Sequence, residues 1–460
     1  LGIMLPYTPM HYLLLEKGPD VLVMTSGNPS GEPLSISNED ALNAFSHIAD
    51  YFLMHDRDIY FRADDSITLV QEGKKRFIRR SRGFAPLPVF FDKKLPKILG
   101  CGAGLKSTVC LTRNNYLFLS QHIGDLDNVK VYHFYQNSIQ HLKQILDIEP
   151  DIIAHDMHPG YMSTDYAKSQ ENVKKVAIQH HHAHAVSCMA ENSLDEDVIA
   201  ITLDGTGYGT DGHIWGGEIL LCSQKEFIRK AHLSYIKMPG GDSAVLQPWR
   251  MAASILFQAF GIDFLKLDIP YLKEMEKEKL SFLCQMMEKN LNSPLTSSAG
   301  RLFDAVSSLL CIRHKISHES QAAMELEAMA DDDWKSDIYG FEIIEAKDKD
   351  GLIEIDMMKS IRQIVTDLIQ NKIRGAISSK FHYTLIQAFS IAAKKVSQQT
   401  GITKIVLSGG VFNNDIILTG LVKTLEENNL KVYTHTKVPT GDGGICVGQA
   451  VVAAALEGNF

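Results

Sequence analysis

No stretch of this 460-residue chain comes near the roughly 20 apolar residues that cross a bilayer, and no basic-then-apolar leader opens it. A membrane partner is therefore not expected. Cysteine is scarce. There are seven, none in a C-x-x-C pair, so neither a zinc ribbon nor a disulfide framework is suggested. Reduced thiols in a cytoplasmic protein are the expectation. Positive charge is also short: a formal net charge of −9 counts against a general nucleic-acid surface. The run Gly102-Ala103-Gly104-Leu105-Lys106-Ser107 fails as a P-loop, because Leu105 separates Gly104 from Lys106. No Ser-His-Asp or Cys-His arrangement is recognisable either.

What is present is an ordinary globular composition, 45% hydrophobic and 22% charged, at a length that calls for two or three domains. The chain begins at Leu1 inside what reads as an ordered segment, so a piece of a longer polypeptide is expected. Residues 1–92 form a first unit. It holds the apolar run Val21–Ser26 before a turn at Gly27–Gly31, a helix over Asn38–Ala49, and strands Ser66–Val70 and Lys75–Arg80 paired around Gly73. A proline-rich linker is expected across Gly83–Pro96.

Beyond the linker one order of elements runs twice. The first copy, 93–195, has strands at Lys97–Gly102, Ser107–Thr112 and Leu117–Gln121 and a helix at Val129–Leu146. Strands at Asp151–His155 and Lys175–Gln179 follow, the last running into a histidine-rich helix. The second copy, 196–460, has strands at Val198–Asp204, Gly212–Ile214 and Glu218–Ser223, a helix at Leu385–Gln399, and strands at Lys404–Leu407 and Lys431–Thr434. It ends in Gly441–Leu456, and a mostly helical insertion fills about 245–375. This predicts an α/β chain whose duplicated lobes face a cleft on the plan of the actin-like ATPases, with ligands at the carboxyl ends of strands.

That plan brings distant residues together. His180 and His184, from Gln179-His180-His181-His182-Ala183-His184, share one face of a helix. Asp204 opens Asp204-Gly205-Thr206-Gly207-Tyr208-Gly209, and Asp442 lies in Thr440-Gly441-Asp442-Gly443-Gly444. Two imidazoles and two carboxylates suit a borderline divalent metal, iron or zinc, with positions left open for substrate. The competing readings are a chance i,i+4 histidine pair, a turn-forming Asp204 and a helix-capping Asp442. Of His181 and His182, one is expected to line the pocket and the other to pack. Gly205, Gly207 and Gly209 read as a hairpin turn open to a polyphosphate. Gly409, Gly410 and Asn413, between a strand and a helix N-terminus, read as a second nucleotide contact.

Leu5-Pro6-Tyr7-Thr8-Pro9, Thr25-Ser26-Gly27-Asn28-Pro29-Ser30-Gly31-Glu32-Pro33 and Arg79-Arg80-Ser81-Arg82-Gly83 add to these motifs. Together they make the chain resemble the hydrogenase-maturation carbamoyltransferases of the HypF type over essentially its whole length. The resemblance implies the second half of a YrdC-like domain at 1–92, then a complete metal-binding lobe pair. The family's acylphosphatase-like and double zinc-finger modules have no counterpart here, and neither does the Lys/Arg motif upstream of the YrdC-type Ser-x-Asn. It further implies that carbamoyl phosphate is cleaved outside this chain and that carbamate is adenylated with ATP. Ser26, Asn28, Arg80 and Arg82 match that adenylating site, with room for magnesium beside the nucleotide. The carbamoyl adenylate would then reach the metal cleft, where the C-terminal cysteine of the partner HypE attacks it, so this chain need supply no nucleophile. The thiocarboxamide formed becomes a cyanide ligand of a nickel–iron hydrogenase.

Three rivals stand beside this reading. The O-carbamoyltransferases of antibiotic biosynthesis carry the same two modules in the opposite order. A tRNA threonylcarbamoyl transferase fits poorly with the acidic balance and the fused first segment. A non-enzymatic, nucleotide-dependent scaffold would need no metal ligands, yet all four are present. In the insertion, Arg301, Asp304 and Glu325 are expected either to cap the nucleotide or to form helical salt bridges.

Overall fold

The computed structural model describes residues 2–331, 337–345 and 351–458. The first sheet runs in the order Pro88–Leu95, Cys110–Leu119, Ile98–Gly100, Ile152–Asp156, Lys174–Ile178. Its first three strands are antiparallel neighbours, and the last two run parallel to Ile98–Gly100. Two expectations are corrected here. The second half of the expected linker is the edge strand Pro88–Leu95, which crosses the boundary drawn at 92/93. Its prolines sit at the first residue and just past the end, where no ladder donor is needed. The strands expected at Ser107–Thr112 and Leu117–Gln121 are one strand, Cys110–Leu119, because Asn114 (φ 54°) is absorbed where the register shifts instead of making a turn. The first copy therefore draws its third strand from before its first, not after it.

The second sheet has nine strands among the described residues. Val198–Tyr208 is central, with Ile214–Cys222 and Phe227–Leu233 antiparallel on one side and Lys404–Ser408 and Lys431–Tyr433 parallel on the other. The insertion is not only helical: Ile353–Asp356 and Glu342–Glu345 extend one edge. The strands expected at Gly212–Ile214 and Glu218–Ser223 merge into Ile214–Cys222. Gly216 and Gly217 suggest a turn in the sequence, but here they let backbones close on each other. A Cβ at Gly216 would lie 2.6 Å from the Asp204 carbonyl, and one at Gly217 2.5 Å from that of Ser297.

The helices that end the two copies, His180–Glu191 and Ile445–Leu456, are buried on nearly all sides. Such helices belong in a core. They exchange places: the histidine helix packs on strands of the second sheet, and Ile445–Leu456 packs on strands of the first. Where they cross, a Cβ at Gly448 would stand 1.8 Å from the Ala183 carbonyl, so only glycine fits.

Residues before this frame are more open. Helices Pro9–Lys17 and Asn38–Phe45 bury no residue, and the run Val21–Ser26 forms no strand, since no described segment pairs with it. Strands Ile67–Gln71 and Lys74–Arg79 pair as expected. Their hairpin docks on the second lobe: Gln71 Nε2 donates to the Asn413 carbonyl (3.3 Å) and Arg76 Nη1 to that of His435 (2.7 Å). No helix among the described residues is long and apolar enough to cross a membrane.

Candidate metal centre

The exchange of helices brings both their N-termini to the carboxyl ends of the strands. His180 is the first residue of one helix, held by Gln179, whose side chain accepts from the His182 N–H at 2.8 Å. Asp442 opens the 3₁₀ turn Asp442–Gly444 that leads into the other. Asp204 lies within the strand Val198–Tyr208, which continues through a register shift between Leu203 and Gly207. The expected hairpin turn at 204–209 is thus mostly strand, because the ladder resumes at Gly207 opposite Trp215.

One ligand atom each from His180, His184, Asp204 and Asp442 lies within 4.8 Å of the others. His180 Nε2 is 3.3 Å from Asp204 Oδ2 and 3.8 Å from Asp442 Oδ1; His184 Nε2 is 3.4 and 3.6 Å from the same two oxygens. His184 Nε2 is buried and makes no hydrogen bond. A buried nitrogen lone pair left without a donor and aimed at two carboxylates fits a cation. Asp442 is no side-chain cap, so its carboxylate is free for that role.

Further side chains hold these four. His180 Nδ1 donates to Asp156 Oδ2 at 2.7 Å, which turns its Nε2 toward the cluster. Burial opposes charge on His180, but the facing Asp156 carboxylate overrides it and holds the pKa well above the usual 6.5. Burial likewise opposes charge on Asp204, and the facing imidazoles of His180 and His184 hold its carboxyl well below the ordinary range. Asp204 Oδ1 accepts the Gly410 N–H at 3.0 Å. His184 Nδ1 lies 3.5 Å from Ser408 Oγ, which is 2.9 Å from His435 Nε2. His435 in turn faces Glu191, whose carboxylate accepts the backbone N–H groups of Thr436, Lys437 and Val438.

Asp156, Ser408, His435 and Glu191 are the supporting residues that the sequence reading missed. Asp156 left a signal, an acidic residue ending an apolar strand of the first copy. Glu191 left none, because its partners lie some 245 residues away.

The remaining expectations divide. His182 packs, its Nε2 donating to the Ser223 carbonyl and its ring against Phe227. His181 is fully buried beside Trp215. A Cβ at Gly207 would meet His181 at 2.5 Å and one at Gly209 would meet Trp215 at 2.2 Å, so both glycines are explained by packing. Gly205 lies beside Arg301 and Gly300 of the insertion. Gly409 has φ 112° with its Cβ position blocked by the Leu203 carbonyl, and Asn413 Nδ2 donates to the Gly410 carbonyl.

Arg301 pairs with Asp304 at 2.9 Å as a helical i,i+3 salt bridge would, while Glu325 pairs with Arg313 of the preceding loop, not within a helix. Arg301 Nε and Nη1 are nevertheless buried without partners. In the first segment, Ser26 is exposed and Asn28 ties its own turn by donating to the Pro29 and Glu32 carbonyls. Arg80 is buried and donates to the Leu87 carbonyl, while Arg82 pairs with Asp65. No hydrogen bond joins the Ser26–Asn28 turn to either arginine among the described residues.

Comparison with known families places these features. The family described as "Carbamoyltransferase, Kae1-like Domain, second subdomain" matches residues 200–449, and "HypF Kae1-like domain" matches 93–191. "Telomere recombination", the Sua5/YciO/YrdC family, matches 1–81. Carbamoyltransferase HypF2 of Cupriavidus necator is 36% identical across 100% of this chain and 61% of its own length. Carbamoyltransferase HypF of Synechocystis sp. is 36% identical across 97% of this chain and 59% of its own. Among solved structures, a full-length HypF in a phosphate- and nucleotide-bound form superposes with a TM-score of 0.94 at 43% identity, covering 99% of this chain and 71% of that one. T. kodakarensis HypF gives a TM-score of 0.90 at 35% identity, covering 100% and 61%. The chain thus spans about three-fifths of the length of the curated relatives it matches.

Proposed function

This chain belongs to the HypF carbamoyltransferase family, and on that premise we propose that it houses the step that passes an activated carbamoyl group to the C-terminal cysteine of HypE. The whole protein would make carbamoyl adenylate from carbamoyl phosphate and ATP, and the product would feed cyanide-ligand synthesis for nickel–iron hydrogenase. The observation that carries this reading is the buried cluster of two imidazoles and two carboxylates where the lobes' exchanged helices meet.

An iron- or zinc-class cation on His180, His184, Asp204 and Asp442, when bound, supplies a positive charge that stabilises negative charge developing on the phosphate of the leaving AMP. The chain's own groups add to that charge. The N-termini of both central helices favour an anion in front of them. Arg301, whose Nε and Nη1 are buried without partners, is proposed to donate to a phosphate or carbamoyl oxygen. Lys106, held by Glu319 at 2.8 Å, adds a second cation from the opposite lobe.

The partner's thiolate forms the S–C bond as the bond from the carbamoyl carbon to the phosphate oxygen breaks, and AMP leaves with that electron pair. No nucleophile is asked of this chain, and six of its seven cysteines are buried. Gly205, Gly409, Gly410 and Asn413 border the same cleft and are proposed to face the nucleotide, with magnesium as its companion. Ser26, Asn28, Arg80 and Arg82 are proposed to serve the adenylating site of the first unit, which ends before the strand Pro88–Leu95, with the lobes dividing near 195/196.

The test is to incubate the full-length protein with carbamoyl phosphate, ATP and HypE and then weigh HypE. One carbamoyl mass on the terminal cysteine is expected. An unchanged HypE, under conditions where ATP is turned over, would reject the transfer.

A further inference from the structure

Outside the cleft, the helical insertion carries a second set of ligating side chains that the transfer does not use: Glu274, Cys311 and His314. Glu274 ends the helix Pro270–Glu274, and Cys311 and His314 lie just past the helix Ala299–Leu309. One ligand atom from each falls within 4.8 Å of the others. We propose that these three residues bind a zinc-class divalent cation, with its fourth position open to the cavity beside them.

The donor set comes first. A thiolate, an imidazole and a carboxylate together select a borderline, tetrahedral ion over magnesium or calcium. The donors are also held in place. His314 Nε2 is 3.0 Å from Glu274 Oε2, and its Nδ1 is 2.8 Å from Ser308 Oγ, a hydroxyl of a fully buried residue. A serine hydroxyl accepts as readily as it donates, so the ring proton can rest on Nδ1 and leave the Nε2 lone pair for a metal.

Cys311 sits at φ 52°, a conformation cysteine seldom adopts. Its backbone is fixed there by its N–H to the Ser308 carbonyl (2.9 Å) and by Arg374 donating to its own carbonyl (3.4 Å). The result turns its thiol onto the Glu274 carboxylate, with which it hydrogen-bonds.

The cavity supplies the open position. It encloses about 580 Å³, and Glu274 and His314 line it together with Trp249, Arg250, Phe282 and Lys315. An opening of that size beside a three-residue set resembles sites that keep a water or a small ligand on the metal. On binding, the cation replaces the hydrogen bonds that Glu274 makes to His314 and Cys311. The thiol proton leaves to solvent, and the imidazole proton that faced Glu274 gives way to one on Nδ1, where Ser308 Oγ accepts it. The metal's two charges then meet one thiolate and one carboxylate. The two metal positions would stand near opposite ends of the helix Ala299–Leu309, whose eleven residues span about 16 Å.

Cobalt(II) separates the two positions in the intact chain, because a cobalt–thiolate bond gives an intense near-ultraviolet charge-transfer band that histidine and aspartate ligands cannot. The band is expected at one equivalent in the native protein and in His180→Ala, displaced by one equivalent of zinc. It should vanish in Cys311→Ser and His314→Ala, and in Glu274→Gln the cobalt affinity should fall at least tenfold. Glu274 is exposed, so that last variant reads out even if the other two fold poorly. No band in the native protein, a band that survives Cys311→Ser, or unchanged affinity in Glu274→Gln would each overturn the proposal.

Discussion

Asp156 is not one of the four clustered residues, yet it bears directly on the proposed centre. Its carboxylate fixes which nitrogen of His180 faces the cluster. Losing such an outer partner commonly weakens a metal site by 10–100-fold. Asp156→Asn should therefore lower metal affinity at this centre by about that factor while leaving the total metal bound in excess metal unchanged, measured by competitive titration with a chelator. His382 belongs to the same scale. It is fully buried, Nδ1 donating to the Ser378 carbonyl and Nε2 accepting from Asn414 Nδ2, and burial pushes its pKa down to about 4. The unfolded chain takes up a proton near pH 6.5 that the folded chain refuses until about 4. Its contribution to stability is thus whole above pH 6.5 and is lost as the pH falls toward 4, by up to roughly 3 kcal/mol. Urea midpoints measured from pH 7 to pH 4 should fall less steeply in His382→Gln than in the native chain.

At the scale of elements, the decisive contact is the crossing of His180–Glu191 and Ile445–Leu456. Gly448→Ala must part these helices, since the new Cβ would overlap the Ala183 carbonyl. A cost of roughly 1–3 kcal/mol is expected from such overpacking. Metal affinity should fall with the melting temperature, because His180 and Asp442 ride on the two helices. This is also where the sequence was most and least legible. Strands Lys404–Ser408 and Ile152–Asp156 and the helix Val129–Leu146 could be read to within a residue or two, since each is a dense apolar run or a clear helical period. Glycine misled. Gly205, Gly207, Gly216 and Gly217 suggest turns, yet in the fold they sit in strands that other backbones and rings press against. Whether a glycine bends the chain or lets a neighbour approach is decided by tertiary contacts that local pattern does not carry. The edge strand Pro88–Leu95 was hidden for a similar reason, its prolines reading as linker when they only bracket the ladder.

Across the whole molecule, the meeting of His180, His184, Asp204 and Asp442 could be expected in advance because each follows an apolar run in a duplicated plan. Their supports could not, because Asp156, Glu191, Ser408 and His435 meet through long-range contacts. One such chain of contacts reaches the first segment: Arg76 donates to the His435 carbonyl, and His435 holds Ser408 beside His184. Arg76 is buried, so Arg76→Ala should loosen the hairpin Ile67–Arg79 from the second lobe by about 1.5–3 kcal/mol, the usual worth of a hydrogen bond from a charged group. Limited proteolysis should then cut residues 2–81 faster than in the native chain while the two lobes resist as before. The central claim remains that His180, His184, Asp204 and Asp442 are one metal site. Its most direct test is metal content per chain, measured by elemental analysis in the native protein, His184→Ala and Asp442→Ala after equilibration with buffered zinc or iron. The account predicts one fewer bound metal in each variant with the fold intact by circular dichroism; unchanged content in both would contradict it.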